Sequence, residues 1–465
     1  MVRTLSSKQN EILSKLSSIV GKDNVLYEKE DLYCYSFDTM SHGYSVMMPD
    51  YVVLPSNARQ VSDVVKLASF YKLPIIPRGA GTNHVGGCVA VDGGIIIHFS
   101  KMNKILDIDI KNLTCRVQPG VILQDLQTAV ENLGFFFPPD PSNLKVSTVG
   151  GALALSSSGP RHFKYGGMNE YTLDLEVVNA QGEIFHTGMA VKKNVSGYNL
   201  TNLFVGSEGT LGVVTEATFR LIPKPMCRQI MLAFFDQVER ASDAVRAVIQ
   251  AKLTPSVLDL IDRNTITTIE KFYPTGVFKE AEACLIIEVD GSDEQEITTQ
   301  SSKIEKVCKL FCATDFVLAK NKEESEKIWF ARRSAFAAVA KLAPDVVTED
   351  AVVPQDKITD MVKKIKELCE KYGIMACIMG HAGDGNIHPN FSLDLRDEKQ
   401  RENFEKLKDE FFEYASSLGG SITGEHGIGM TKSKYLDKNA PVYRYMKQIK
   451  DVFDPENILN PHKIW

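Results

Sequence analysis

The stretch Gly380-His381-Ala382-Gly383-Asp384-Gly385-Asn386-Ile387-His388-Pro389 concentrates residue types that bind metal ions. Asp384-Gly385 is a strong two-residue hairpin signal, because both turn positions need positive φ. With that pair as the loop, Gly383 faces Asn386, Ala382 faces Ile387 and His381 faces His388. Directly opposed residues on one face of an antiparallel pair have Cβ atoms about 4.5–5.5 Å apart, and two imidazoles at that distance can share one divalent cation. Further along, Gly424-Glu425-His426-Gly427 adds a carboxylate and a third imidazole in a turn-like setting. A set of His381, His388 and Glu425 leaves an open position on zinc, iron or manganese, which suits catalysis better than structure. The alternative is a solvated hairpin whose polar residues only satisfy turn geometry. Two His in register and a Glu-His pair, in a chain with nine His, favour the metal.

These residues need a scaffold, and the chain supplies it in two styles. Residues 6–20 read as an amphipathic helix with Ile12, Leu13, Leu16, Ile19 and Val20 on one side. Tyr51-Val52-Val53-Leu54-Pro55 reads as a strand, and Ser56 is placed as the cap of a helix striped by Val61, Val64, Val65 and Ala68. The strand Leu73-Pro74-Ile75-Ile76-Pro77 opens into Arg78-Gly79-Ala80-Gly81-Thr82-Asn83-His84-Val85-Gly86-Gly87. Strand, helix, strand and glycine loop is a nucleotide-binding arrangement, since glycines let backbone N–H groups approach phosphate oxygens. The spacing is not G-x-G-x-x-G and no Walker lysine is present, which disfavours both the dinucleotide fold and ATP. Further glycine loops are expected at 150–159 and 206–212, with the extended Pro138-Pro139-Asp140-Pro141-Ser142 between the first two.

Pro223-Lys224-Pro225 breaks the pattern and is taken as a boundary. After it the order strand 229–235, helix 237–251, strands 256–261 and 284–290, helix 294–311 and strand 314–318 suggests a ferredoxin-like layer. Helices near 322–342 and 355–371, the His hairpin, a charged helix at 398–418 and a helix near 440–453 complete the chain. The expected division is 1–224, 225–419 and 420–465, in the α+β class.

Composition narrows the function. With 465 residues, two domains are the prior. The net charge of −6 without a long basic run disfavours nucleic acid and anionic lipid. No apolar stretch reaches the roughly 20 residues of a spanning helix, and the start, Met1 to Ser6, carries one basic residue and no apolar signal core. A cytoplasmic location is expected. The nine Cys are scattered without C-x-x-C runs, so they read as reduced thiols, and electrons leaving this chain need another subunit to carry them.

The run Pro77 to Gly87, the segment from Pro138 through Lys164-Tyr165-Gly166, and Phe204 to Glu216 resemble the FAD-binding domain of vanillyl-alcohol-oxidase-type flavoproteins. The His hairpin, Gly424-Glu425-His426-Gly427 and the ending Phe453-Asp454-Pro455-Glu456-Asn457-Ile458-Leu459-Asn460-Pro461 are similar to the D-lactate dehydrogenase / glycolate oxidase D-subunit branch. The resemblance implies a two-part FAD-binding domain, a cap, and a C-terminal segment that returns to the FAD domain. It implies FAD held by Pro77, Arg78, Gly79, Ala80, Gly81, Thr82, Asn83 and Gly86 from the first loop. Pro139, Asp140, Ser142, Thr148, Gly150, Gly151, Ser157, Gly159, Lys164, Tyr165 and Gly166 follow from the second region, and Glu208, Gly209, Val213 and Asn460 from the third and the tail. Thr82 stands where some relatives carry a flavin-linked His, so FAD is expected to be noncovalent, with His84 a local hydrogen-bonding residue.

The implied reaction is oxidation of a small D-2-hydroxy acid, foremost D-lactate, with His426 as general base or, alternatively, a fourth metal ligand. Arg332, in Trp329-Phe330-Ala331-Arg332-Arg333, is the expected partner of the substrate carboxylate, and Asn386 and Asn390 are expected to orient the site. Phe336 and Thr348 point to a monoacid. An electron-transferring flavoprotein or an iron–sulfur subunit is the expected acceptor. Glycolate or D-2-hydroxyglutarate oxidation, and an alkyl transferase of the same fold, are the alternatives.

Overall fold

The computed structural model describes residues 5–40 and 46–465; Arg3, the basic residue of the N-terminal reading, lies outside them. Helix α1 (Ser7–Val20) is capped by Ser6 and buries Ile12, Leu16 and Val20, as the stripe predicts. It packs on a four-stranded sheet in which β1 (Val25–Leu26) runs antiparallel to β2 (Tyr51–Val53). Helix α2 (Ala58–Tyr71) follows, capped by Asn57 and not by Ser56, because the Asn57 side chain accepts from the Gln60 amide. Strands β3 (Ile75–Arg78) and β4 (Ile95–His98) pair in parallel, and β4 pairs with β2 in the same way. The tail extends this sheet. The Ile75 amide donates to the Ile458 carbonyl at 2.7 Å and the Asn460 amide to the Ile75 carbonyl at 2.8 Å. Asp454 explains the ending motif: its carboxylate accepts from the Ile458 and Leu459 amides while buried Lys450 closes on it.

A second sheet is antiparallel: β5 (Ile105–Asp109), β6 (Thr114–Val117), β9 (Val213–Arg220), β7 (Thr172–Val178) and β8 (Ile184–His186), in that spatial order. Helix α3 (Leu123–Glu131) buries Leu123, Leu126 and Val130 in a core shared with Val117, Leu175 and Ala217 of this sheet. Gly150 and Gly151, expected in a loop, lie in the first turn of the short helix α4 (Val149–Leu155), whose N-cap Thr148 accepts from Gly151 at 3.2 Å.

The cap is built on strand alternation. Strand β10 (Cys227–Phe235) sends Met231, Ala233 and Phe235 into one core cluster and Ile230, Leu232 and Phe234 into another, so its unbroken apolar run is buried on both faces. Helix α5 (Val238–Gln250), β11 (Val257–Asp262), β12 (Ala283–Gly291), α6 (Glu294–Leu310) and β13 (Asp315–Leu318) complete a unit of spatial order β13-β10-β12-β11. That is the ferredoxin-like order. The sheet continues to eight strands through the His hairpin, β15 (Met375–His381) and β16 (Asn386–Leu393), and the edge strand β14 (Asp345–Thr348); Ala351–Val352 also pairs with β16. Period-2 alternation sorts the polar residues: Leu258, Leu260, Ile378, Ile387 and Phe391 join the outer core, while Asp259, Glu288, Asp290, His381, Asn386, His388 and Asn390 share the opposite face. That face turns toward the N-terminal part of the chain: the Arg161 guanidinium and the Lys164 ammonium pair with Glu288 and Asp290. Among the described residues, no helix is long and apolar enough to cross a membrane.

Candidate active site

The hairpin register differs from the expected one. His381 pairs with Asn386, Gly380 with Ile387 and Met379 with His388, so the loop has four residues, 382–385. A two-residue turn of the expected kind needs positive φ twice, and only Gly385, at 77°, has it. The Asp384 amide turns back to the His381 carbonyl at 3.0 Å, and Gly383 is tied to Leu258 of the next strand. The slip lengthens the loop by two residues, which leaves every side chain on its original face. His381 and His388 therefore still converge, now diagonally, with ring centroids 5.2 Å apart.

Glu425 reaches this pair from the C-terminal segment. Its Oε1 lies 3.5 Å from His381 Nε2 and 3.3 Å from His388 Nε2, and Ser158 donates to its other oxygen at 2.9 Å. Ligands about 2.0–2.1 Å from one tetrahedral zinc are roughly 3.3 Å apart, so the spacing fits a shared ion. Neither ring nitrogen of buried His388 makes a hydrogen bond, so Nε2, beside Glu425, is available to ligate an ion. His381 Nδ1 is 2.8 Å from the Asp259 carboxylate, which fixes the ring and leaves Nε2 toward Glu425. Against the desolvation of full burial, Asp259 and Glu425 raise His381 to about 10. The same desolvation is outweighed at Glu425, which His381 and His388 hold well below the usual carboxylate range.

One cavity joins these groups to the first glycine loop. It is lined by His381, His388, Glu425 and His426, by Arg332, Arg333, Phe336 and Thr348 from the cap, and by Thr82, Ser142 and Ser157. Arg332 is buried, donating from Nε to Asp259 at 3.0 Å and from Nη1 to Met379 sulfur at 3.3 Å. Asp259 thus ties the guanidinium to the metal-type His. Asn390 accepts from Thr348 at 2.7 Å and donates to the His388 carbonyl at 3.2 Å, whereas buried Asn386 Oδ1 has no partner. His426 stacks near His388 at 5.2 Å and near His84 at 5.1 Å. Desolvation lowers His426 to about 4, leaving it neutral near pH 7.

The adjoining cavity is walled by Pro77, Arg78, Gly79, Ala80, Gly81, Thr82 and Asn83, by Thr148, Gly150, Gly151 and Ser157, and by Glu208 and Gly209. A Cβ on Gly79 would lie 2.1 Å from Thr148 Oγ1, so the two loops can meet only through glycine. Several polar side chains expected on FAD are engaged elsewhere. Arg78 donates to the Phe37 carbonyl at 2.8 Å. Asn83 accepts from Gly87 at 2.7 Å and donates to the His426 carbonyl at 3.2 Å. Asn460 holds the Gly87 and Glu208 carbonyls, and Glu208 accepts from Ile428 and Gly429.

The remaining expected contacts lie outside this wall. Lys164 and Tyr165 bind Asp290 of the cap, at 2.8 Å from the Tyr165 hydroxyl. Asp140 pairs with Arg161, its backbone pressed against Gly159. The Pro139 carbonyl accepts from Gln127, Gly86 abuts Met430, and Gly166 abuts Glu170. Val213 is buried in the core, and its neighbour Val214 faces the cavity, a one-residue offset that strand alternation converts into the opposite face. Asp259 and Ser158 are residues of this site that reading the sequence missed. An Asp in the apolar run Val257-Leu258-Asp259-Leu260 was an available signal, since a buried charge needs a partner.

The profile described as FAD binding domain matches residues 49–188, and the one described as FAD linked oxidases, C-terminal domain, matches 224–464. The chain is 43% identical to the glycolate oxidase subunit GlcD of Bacillus subtilis (strain 168), over 98% of this chain and 97% of that one. It is 35% identical to a D-lactate dehydrogenase of Anaerostipes hadrus, over 98% and 97%. Its fold matches a 4-ethylphenol oxidase from Gulosibacter chungangensis at TM-score 0.82 and 17% identity, covering 100% and 99% of the two chains. The FAD binding domain match spans both glycine loops that wall the adjoining cavity, and the chain belongs to the FAD-linked oxidoreductases of the glycolate oxidase D-subunit and D-lactate dehydrogenase family.

Proposed function

We propose that this enzyme oxidises a small D-2-hydroxy acid, with D-lactate the leading candidate, to the 2-oxo acid in a reaction that depends on one divalent metal. The observation that carries this reading is the convergence of His381, His388 and Glu425, with neither ring nitrogen of His388 in a hydrogen bond, on a cavity that also contains Arg332 and His426. A divalent ion held by these three ligands would acidify and orient the substrate hydroxyl. FAD, when bound, supplies the acceptor for the hydride that leaves Cα.

The protein's own residues perform the rest. Arg332 binds the substrate carboxylate with the N–H groups that Asp259 and Met379 leave free, and Asp259 keeps its fork fixed relative to His381. His426, neutral at working pH, takes the hydroxyl proton as the carbonyl forms. Asn390 and Thr348 hold the His388 backbone in register. Phe336 narrows the cavity toward a monoacid. Electrons then pass to a separate protein, either an electron-transferring flavoprotein or an iron–sulfur subunit.

The test is anaerobic titration of the bound flavin with D-lactate, glycolate and D-2-hydroxyglutarate. Bleaching by D-lactate at the lowest concentration is expected, and no bleaching by any of the three would reject the reading. Acid precipitation is expected to release the FAD, since Thr82 offers no imidazole for attachment.

A further inference from the structure

Glu425 and His426 are adjacent, and in an extended segment adjacent side chains point to opposite sides. Both nevertheless line one cavity. The cause is a buried carboxylate that the reaction itself does not use. Asp350 is fully buried at the break between β14 and Ala351–Val352. Its Oδ2 accepts from three consecutive amides, Gly424 at 2.6 Å, Glu425 at 3.0 Å and His426 at 3.4 Å. The Thr423 hydroxyl reaches it at 3.1 Å and in turn accepts from the Gly427 amide at 3.1 Å. Three successive N–H groups can meet one oxygen only if the backbone curls around it, as in an anion nest, and the intervening side chains then fan outward together. Gly427, with φ of 83°, completes the curl.

We propose that Asp350 is the positioning residue of this site: it curls residues 424–426 so that Glu425 and His426 address the same substrate. The inference rests on the reading of Glu425 as metal ligand and His426 as base. Asp350 Oδ1 also lies 3.4 Å from His426 Nδ1, a close charge contact without a hydrogen bond. Asp350, His388 and His426 are close enough to form a metal group themselves. The Asp350 oxygens, however, already carry these hydrogen bonds and an ion pair with Lys432, itself buried and bonded to the Asp350 and Ile422 carbonyls. A carboxylate so neutralised and saturated is an anchor and a poor ligand. Glu349 provides an internal control, since it faces the same ammonium at 3.5 Å and makes none of the amide contacts.

The experiment compares Asp350→Ala, the paired Asp350→Asn/Lys432→Met and Glu349→Gln in the full-length FAD-loaded enzyme. Asp350→Ala is expected to lower flavin reduction by D-lactate about 100-fold or more with half-saturation changed little, and to weaken zinc affinity about 10–100-fold. The amides of 424–426 should exchange with deuterium at least about tenfold faster. The paired variant keeps a neutral carbonyl acceptor and is expected to recover much of this; Glu349→Gln should stay within a few-fold of wild type. If Asp350→Ala does not fold, the paired variant alone decides, with wild-type exchange at 424–426 expected. Glu349→Gln as damaging as Asp350→Ala would assign the effect to Lys432 charge balance and overturn the proposal. So would two zinc ions per wild-type chain with one lost in Asp350→Ala, or normal exchange and normal reduction in Asp350→Ala. If wild-type flavin is not reduced by D-lactate, the functional reading fails, and the exchange measurement still decides the anchor.

Discussion

The two adjoining cavities are built by opposite means. Around the glycine loops the wall is main chain, and the polar side chains there, Arg78, Asn83, Glu208 and Asn460, are engaged with other parts of the protein. Across from them the wall is side chain, and neither ring nitrogen of His388 makes a hydrogen bond. An extended cofactor bearing phosphates can be held by backbone N–H groups, which need only the absence of a Cβ and a rigid frame. A reacting centre needs charge and proton affinity, which only side chains supply. Cofactor retention and chemistry should therefore be separable by mutation.

The largest effect is expected from His388→Ala. Loss of the shared ligand should remove the divalent ion and slow flavin reduction by about 10³-fold, on the scale of several kcal/mol for a Lewis acid, while FAD content stays at one per chain. Metal analysis and stopped-flow reduction on one sample check this, and full metal retention would break the comparison at its centre. His426→Asn comes next: roughly 10²–10⁴-fold slower reduction, with metal and FAD both retained.

A pH series sharpens the side-chain half. Without metal, His381 is raised to about 10, so binding an ion must displace its proton. Affinity should rise with pH, by up to about tenfold per unit below 10, and competition with a chelator of known affinity at pH 6, 7 and 8 measures it. His426, lowered to about 4, has the opposite sign. It is already neutral above that value, so the reduction rate of metal-saturated enzyme should stay level from pH 8 to about 5 and fall only below it.

The backbone half should respond differently. Gly79→Ala places a Cβ against Thr148 and should destabilise the protein by about 1–3 kcal/mol. FAD should be lost with no change in metal content, read by the visible spectrum and thermal melting. Asn460→Ala is the mildest, since it removes only the donor that the Gly87 and Glu208 carbonyls share. We expect about 1 kcal/mol and a few-fold weaker FAD binding by dilution assay.

What the sequence determined by itself was the set of elements and the faces they expose. Period-2 runs such as Ile374 to His381 and Asn386 to Leu393 dictate which residues point inward, and this survived a register shift of two because faces repeat every two residues. Glycine spacing marked the loops at 79–87 and 206–212 but not the helical turn at Gly150 and Gly151, and the His/Glu set marked residues that converge on one cavity. The partner of each polar side chain was set by the packing of distant elements. Lys164 and Tyr165 bind Asp290, 125–126 residues away, and Asp259 meets His381 at a separation of 122. Val213 and Val214 exchanged roles by one step in a strand. Asp350 sets the geometry of residues 74–76 positions further on. Local propensity has no term for such distant pairings; they follow from strand order in the sheets and from the need of each buried charge for a counter-charge or a hydrogen-bond donor.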